Sequence, residues 1–562
     1  MLVSEINRAF PQCQPVFEKY GIAGCGGQQG PPEPLFIFAA AHHVPLHFLV
    51  EELNQAVRGE WHDEGAATRE RKAVASAQEQ FESENLYKRF VFGALAVALT
   101  AGFTLGLVNL MRISLEQSYY SISGVLKQVH GHAQLFGWVG LFVMGVAFHA
   151  VPRFKGVSLR PMLFAKACLP LMLVGVLLRA MTQPFAHNPI GSILLLTSAG
   201  LELVAVGFFV WLIARVVVKS QQKREHYEKF VFASVAWFAV LGIWNFLIVL
   251  QMAAHRSPGI PALQDALWIH VAFFGFATNI IFGFSLRVLP HFLGLRETKV
   301  WASNTAFWLW NAAILLRYPV EQLAWKASVL EAAAIVLFAW ALGIFARRRT
   351  KIEIKGVDNT FGRFVRLGYA WLLVAALIPF HADVFRLSAS ARHTIAVGFI
   401  TSLIMGVGYR VLPIFNGVNL WSNRLMRVSF WSFAAGSTLA FSMAFNKVFE
   451  TTWSYAWSAG AGSLVFAAVV MFAVNIVLTL RATAEPFTRS STVKPTTRVV
   501  ELLEVHPDLR PVLIHGGLSG LATMRHNPPR FVTIEFAARR HNIDPQPLIT
   551  VLNEEINRRK QS

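Results

Sequence analysis

Long apolar runs separated by short polar stretches occupy the chain from about residue 85 to 485. A helix needs about 20 apolar residues to cross the roughly 30 Å hydrocarbon core of a bilayer. Twelve runs approach or meet that length, near residues 90–111, 131–152, 161–181, 190–215, 229–252, 264–290, 301–317, 326–346, 363–382, 391–413, 427–446 and 456–480. Backbone polar groups in lipid must be satisfied within the segment, so the pattern predicts an all-α integral membrane protein. Lys and Arg gather in the even-numbered loops, at Arg153, Lys155 and Arg160, from Lys219 to Lys229, in "ARRRTKIEIK" from Ala346 to Lys355, and at Arg424 and Arg427. Basic loops stay on the cytoplasmic side, which predicts that both termini are cytoplasmic.

The runs are internally related. Three align without a gap: "HAQLFGWVGLFVMGVAFHAVP" from His132, "HVAFFGFATNIIFGFSLRVLP" from His270 and "HTIAVGFITSLIMGVGYRVLP" from His393. Each opens on His, has Gly five and thirteen residues on, and Pro twenty residues on. The span before each begins alike, with "YKRFVF" at Tyr87, "YEKFVF" at Tyr227 and "FGRFVR" at Phe361. Glu202 and Glu331, each nine residues before a Trp, mark corresponding places on the fourth and eighth spans, and Gly462 stands there on the twelfth. Twelve transmembrane helices as three four-helix pseudo-repeats, about 85–220, 225–350 and 360–485, account for these identities. A four-helix unit returns the chain to its starting side, so spans two, six and ten run parallel. Their leading histidines then share one depth, nearer the outer face.

Composition agrees with a membrane protein: 54% of the 562 residues are hydrophobic and 15% charged, too little charge to cover a soluble protein of this length. The net charge of +19 comes from loop tracts, so no nucleic-acid partner is expected. The three cysteines, Cys13, Cys25 and Cys168, make neither a disulfide framework nor a four-cysteine zinc site. The opening "MLVSEINRAF" shows no basic region leading into an apolar core, so no cleaved signal peptide is expected.

Neutral imidazole ligates haem iron and copper, and ionisable groups inside a membrane are costly enough to mark function. Three histidines in register are therefore candidate cofactor ligands, His132 and His393 ahead of His270; the alternative is that each caps a helix near the interface. His130, two residues before His132, is turned about 200° from it around a helix, so the two cannot face one metal together. His149 corresponds to Arg287 and Arg410; these three mark the cytoplasmic boundary, or the basic pair meets a carboxylate or anion. Glu202 and Glu331 lie within spans, as a proton or polar path or as protonated packing residues. His381 and Asp383 end the ninth span near His393, where a carboxylate–imidazole contact would orient a ligand.

Both ends are soluble in character. Residues 1–60 and 497–560 align with each other, "PQCQPVFEKYG" at Pro11 with "PDLRPVLIHGG" at Pro507, and the spacing in "PLHFLVEELNQAV" predicts small helical cytoplasmic domains. Residues 61–84 form a polar linker. Cys25 stands alone on a Gly-rich turn, "GIAGCGG", as a redox thiol or a plain buried residue, and His42, His43 and His47 offer an i, i+4 metal pair or a solvated helix face.

The spans, "HGHAQLFGWVGLFVMGVAFHAVPRF" and the "GYRVLP" element resemble the NnrS family, haem- and copper-containing membrane proteins of bacterial nitric oxide metabolism, over roughly residues 85 to 485. The resemblance implies a haem-binding protein of the bacterial inner membrane, acting in nitric oxide metabolism or nitrosative-stress protection, with the lipid bilayer and nitric oxide or a related small molecule as partners. A more distant likeness is to subunit I of haem-copper oxidases and nitric oxide reductases. It implies haem ligands at His132 or His130 and at His393, and a copper ligand at His270. Span seven, "WASNTAFWLWNAAILLR", lacks the paired histidines that would complete such a copper site. The terminal segments resemble small helical domains found beside hybrid-cluster and iron-centre-repair proteins, which implies redox or iron–sulfur protein partners. Two other functions compete: a divergent nitric oxide or oxygen reductase, an oxidoreductase needing a second metal, and a transporter or sensor without redox catalysis, using Glu202 and Glu331.

Overall fold

The structure, a computed structural model, describes all residues except 21–33, 42–43, 63–81, 84, 318–323, 347–357, 378–391, 417, 450–452, 483–486, 489–490, 524–531, 542 and 562. The chain divides into two compact units, Met1–Glu84 and Asn85–Ser562. Among the described residues of the second, ten helices are long and apolar enough to cross a membrane. Helices one to six are Asn85–Glu116, Gly124–Lys155, Met162–Phe185, Pro189–Lys219, Glu228–Ala254 and Ala262–Leu293. Helices eight, nine, ten and twelve are Trp325–Leu342, Thr360–Leu377, Thr394–Asn416 and Tyr455–Arg481. Two further long helices, Val300–Leu316 and Asn423–Phe449, occupy the places of the seventh and eleventh expected runs, the first slightly short and the second more polar, with Arg424, Arg427 and several serines. The chain is an integral membrane protein of all-α type.

Helices two, six and ten are the most buried spans, with 89%, 89% and 83% of their apolar windows inside the protein against 39–56% for the others. This is why their sequences are apolar all round while their neighbours show a lipid-facing side. Each changes winding at the same place. From the residue after the histidine through the eighth residue beyond it, the turns widen to π-helix: Ala133–Gly140, Val271–Thr278 and Thr394–Thr401.

The repeated glycines explain the close approach of the preceding helices. A Cβ on Gly137, Gly275 or Gly398 would collide with Val97, Trp237 or Trp371, corresponding positions on helices one, five and nine. The second glycine meets the first turn of the same helices: Gly145 faces Phe90 and the Tyr87 carbonyl, Gly283 faces Val231 and the Tyr227 carbonyl, and Gly406 faces Phe364 and the Phe361 carbonyl. At Gly145 the collision is with backbone-proximal atoms, 2.5 Å from Phe90 Cβ, so Gly145→Val is expected to cost about 1–3 kcal/mol of stability through overpacking. Gly124→Ala, with nothing within 4 Å, leaves the thermal midpoint of the solubilised protein unchanged.

At the opposite end, the residue seventeen beyond each histidine sits between two aromatic rings. His149 packs on Tyr87 and Phe415, with ring centroids 4.7 and 3.9 Å away. Arg287 lies over Tyr227 and Phe154, and Arg410 over Phe361 and Phe292. One aromatic opens the preceding helix of the same unit; the other lies 22 residues beyond the histidine of the neighbouring unit. The contacts run from one unit to the next and back to the first, so helices two, six and ten stand around a common centre.

The two ends of the chain fold with one element order. In Met1–Glu84, helices Val3–Ala9, Gln14–Lys19, Leu35–Ala41 and Leu46–Arg58 enclose Val3, Ile6, Val16, Phe17, Phe38 and Leu49. Toward the C-terminus, Val499–Val505, Arg510–His515, Ile534–Arg540 and Pro545–Gln561 correspond to them, and Gly520–Thr523 aligns with residues outside the described part of the first unit. Single bridges, Leu2 to Pro34 and Arg498 to Thr533, tie the segments in both.

Candidate functional site

The histidine that ends the α-helical first turns of helix two is positioned by a carboxylate. His132 Nε2 lies 2.8 Å from Glu202 Oε1 on helix four, and both side chains are buried, at 3% and 0% exposure. The other carboxylate oxygen accepts from Asn245 Nδ2 of helix five at 2.8 Å. Arg179 of helix three donates to Asn245 Oδ1 and to Gln183 Oε1. Gln183 in turn donates to the Pro258 carbonyl and to Gln128 Oε1, and Gln128 also receives the Ile260 N–H. A continuous chain of polar groups thus joins His132 to the loop before helix six, in keeping with the rule that buried polar groups are hydrogen-bonded.

The second unit repeats the cluster with fewer members. His270 Nε2 stands 3.1 Å from Glu331 Oε1, and Arg317 Nη2 donates to Glu331 Oε2 at 2.8 Å and to Ser328 Oγ at 2.9 Å. The contact between His270 and Glu331 is close but not aligned as a hydrogen bond. Each imidazole also stacks on the Phe four residues along its own helix, His132 on Phe136 and His270 on Phe274. Sequence reasoning singled out the histidines and both glutamates but not the arginines. Their signal was present: Arg179 and Arg317 each follow the unit's histidine by 47 positions.

The third unit has none of these counterparts. Val397, Ala440 and Gly462 stand where the first two units carry Phe, Arg and Glu. His393, partly buried, instead comes within electrostatic reach of His130 on helix two. His130 is fixed from helix one. There a short π-helical stretch, Ala98–Gly102, turns the Gly102 carbonyl toward helix two, and His130 Nδ1 meets it at 2.9 Å. A carbonyl only accepts, so Nδ1 carries the proton and the lone pair of the neutral ring is on Nε2. Gly106, one turn further, seats the ring: a Cβ there would lie 2.7 Å from His130 Cε1.

The arrangement sorts the candidates. His132 and His270 face carboxylates, whereas His130 meets a backbone carbonyl and lies within electrostatic reach of His393. A metal-bound histidine that ligates through Nε2 usually has its Nδ1–H held by a carbonyl or carboxylate, and His130 has that Nδ1 contact. Among the described residues, no group of three or more His, Cys, Asp or Glu side chains is placed to hold a metal ion. His381, Asp383, Cys25, His42 and His43 fall outside the described residues, and His47 is exposed. Cys13 is buried in the N-terminal unit, where burial raises its thiol pKa and its Sγ lies 3.7 Å from the Leu53 carbonyl. A raised thiol pKa leaves little thiolate, so Cys13 of the folded protein is expected to resist alkylation at neutral pH and to react on unfolding, as read by mass spectrometry.

Comparison with known proteins bears on the fold and the family. The sequence profile of the family described as NnrS protein matches residues 89–483. A heme-copper terminal oxidase dimer, known from a cryo-EM structure that provides insights into its catalytic mechanism, superposes with a TM-score of 0.54 at 12% identity, covering 85% of this chain and 99% of that one. Among curated proteins nothing matches.

Proposed function

The chain belongs to the NnrS protein family, and we propose that it is a haem-binding protein of the bacterial inner membrane that acts in nitric oxide metabolism or nitrosative-stress protection, with both termini cytoplasmic. We further propose that the long helices number twelve in three four-helix units, with haem held by His130 of helix two and His393 of helix ten. The observation that carries the haem assignment is the hydrogen bond from His130 Nδ1 to the Gly102 carbonyl, which leaves Nε2 for iron, beside a His393 whose unit lacks the carboxylate cluster. His132, the other candidate on helix two, presents its Nε2 to Glu202, and His270 presents its own to Glu331.

When bound, haem would supply an iron that exchanges single electrons. The residues of the chain do the rest. Gly102 fixes the tautomer and plane of His130, and Gly106 leaves room for the ring. The buried rings of Phe103 and Trp138, 6.3 Å apart, pack helix one on helix two. His270 is retained as a candidate copper contact, with Glu331 beside it. The test is a reduced-minus-oxidised spectrum of the purified protein together with iron and copper stoichiometry. One haem per chain is expected, and a preparation from haem-replete cells with no Soret band would overturn the reading.

A further inference from the structure

The three seams between units are closed differently at the ends where helices two, six and ten finish. The residues 23 beyond the leading histidines, Lys155, Leu293 and Asn416, correspond in register to the second residues of the opening motifs of the next units, Glu228, Gly362 and Lys88, and in the first two seams the pair is in contact. Between the first and second units, Lys155 Nζ donates to both carboxylate oxygens of Glu228 at 2.9 Å. Between the second and third, Leu293 covers Gly362, whose added Cβ would lie 2.8 Å from Leu293 Cδ2. One seam is thus neutralised by an ion pair and the next is apolar.

The seam between the third unit and the first has neither. Its residues are Asn416 and Lys88, which make neither an opposite-charge pair nor an apolar contact. Asn416 turns its side-chain amide to the Thr479 and Ala482 carbonyls at the end of helix twelve. Its own carbonyl accepts a 2.6 Å hydrogen bond from Arg498, the residue that opens the C-terminal helical domain. Arg498 is held from behind by Glu501 at 2.8 Å and lies within electrostatic reach of Lys88 and Tyr87. The neighbouring residue, Phe415, carries the stack with His149 that joins helices ten and two.

We infer that the C-terminal domain is a clamp on the end of helix ten, working through Arg498 at the Asn416 carbonyl and reaching helix two through the adjoining Phe415–His149 stack. The other two seams close with side chains of the bundle; this one borrows a residue from the domain. The domain's state, by holding or releasing Arg498, therefore sets how firmly the ends of helices two and ten are tied. The effect on haem rests on the assignment of His130 and His393 to those helices; the clamp itself does not. The N-terminal unit, alike in element order, has Leu2 in the place of Arg498, so the shared fold tolerates an apolar residue there.

That substitution supplies the test. In full-length protein in nanodiscs, Arg498→Leu is expected to raise amide hydrogen exchange in residues 148–155 and 409–416 by about tenfold, since a hydrogen bond from a charged donor is lost. Helices 499–505 and 545–561 keep their protection, as Leu2 in the N-terminal copy indicates. Glu228→Gln, which weakens the first seam, leaves residues 409–416 unchanged. Unaltered exchange at both helix ends, with the domain still protected, overturns the clamp. Should the domain lose protection in Arg498→Leu, Arg498→Gln, which keeps a donor and removes the charge, gives an intermediate rise if the clamp is correct and none if it is not. Failure of the haem assignment shows separately, as the absence of a Soret band in parent and variant alike, and does not touch the exchange result.

Discussion

Glu331→Ala is expected to destabilise the protein by about 3–5 kcal/mol, the usual cost of removing one partner from a buried ion pair. Arg317 and Glu331 are both 3% exposed and are joined directly at 2.8 Å. With the carboxylate gone, the guanidinium keeps only Ser328 among the contacts described, and His270 loses its neighbour. Glu202→Ala is expected to cost less although Glu202 is fully buried. Arg179 does not touch that carboxylate; it reaches it through Asn245 and is also covered by Gln183. Unfolding of the solubilised protein, followed by thermal or denaturant titration, ranks the two variants. A loss below about 1 kcal/mol for Glu331→Ala, the range of exposed pairs, would mean that water reaches the cluster.

Gly106→Val is expected to weaken haem retention by about 10- to 100-fold, the range found when groups that orient a metal ligand are disturbed. The added Cβ would fall 2.7 Å from Cε1 and 3.2 Å from Nδ1 of His130. The ring has little room to retreat, since Nδ1 is tethered to Gly102 on the same helix one. Gly131→Ala is the control. It alters helix two between the two histidines, yet a Cβ there meets nothing within 4 Å. Haem titration of apo-protein, read at the Soret maximum, gives both affinities; equal affinity for Gly106→Val and the parent would remove His130 from the site.

The close approaches of helices two, six and ten to their predecessors were legible because glycine is written where they occur. Glycines thirteen beyond His132, His270 and His393 are needed where a carbonyl of the preceding helix approaches within about 3 Å of where a Cβ would be. The two glutamates were legible as buried charges. Their partners were not, because Arg179 and Arg317 stand near helix ends, where arginine is ordinary, and only their equal spacing from the histidines sets them apart. Asn245 carries no signal of its own; it matters because helix five happens to place it against Glu202. The choice between His130 and His132 was open in the sequence, since helical geometry says only that they face apart. The proposed choice of His130 rests on winding: the π-helical stretch on helix one turns a carbonyl toward His130, and no residue type announces such a turn.

The most direct test of the account is low-temperature electron paramagnetic resonance of the oxidised protein and three variants. A haem held between two histidines gives a low-spin signal. His130→Ala and His393→Ala are each expected to lose that signal, whereas His132→Ala keeps it and shows only reduced stability. Loss of the low-spin signal in His132→Ala, with its persistence in His130→Ala, would contradict the assignment.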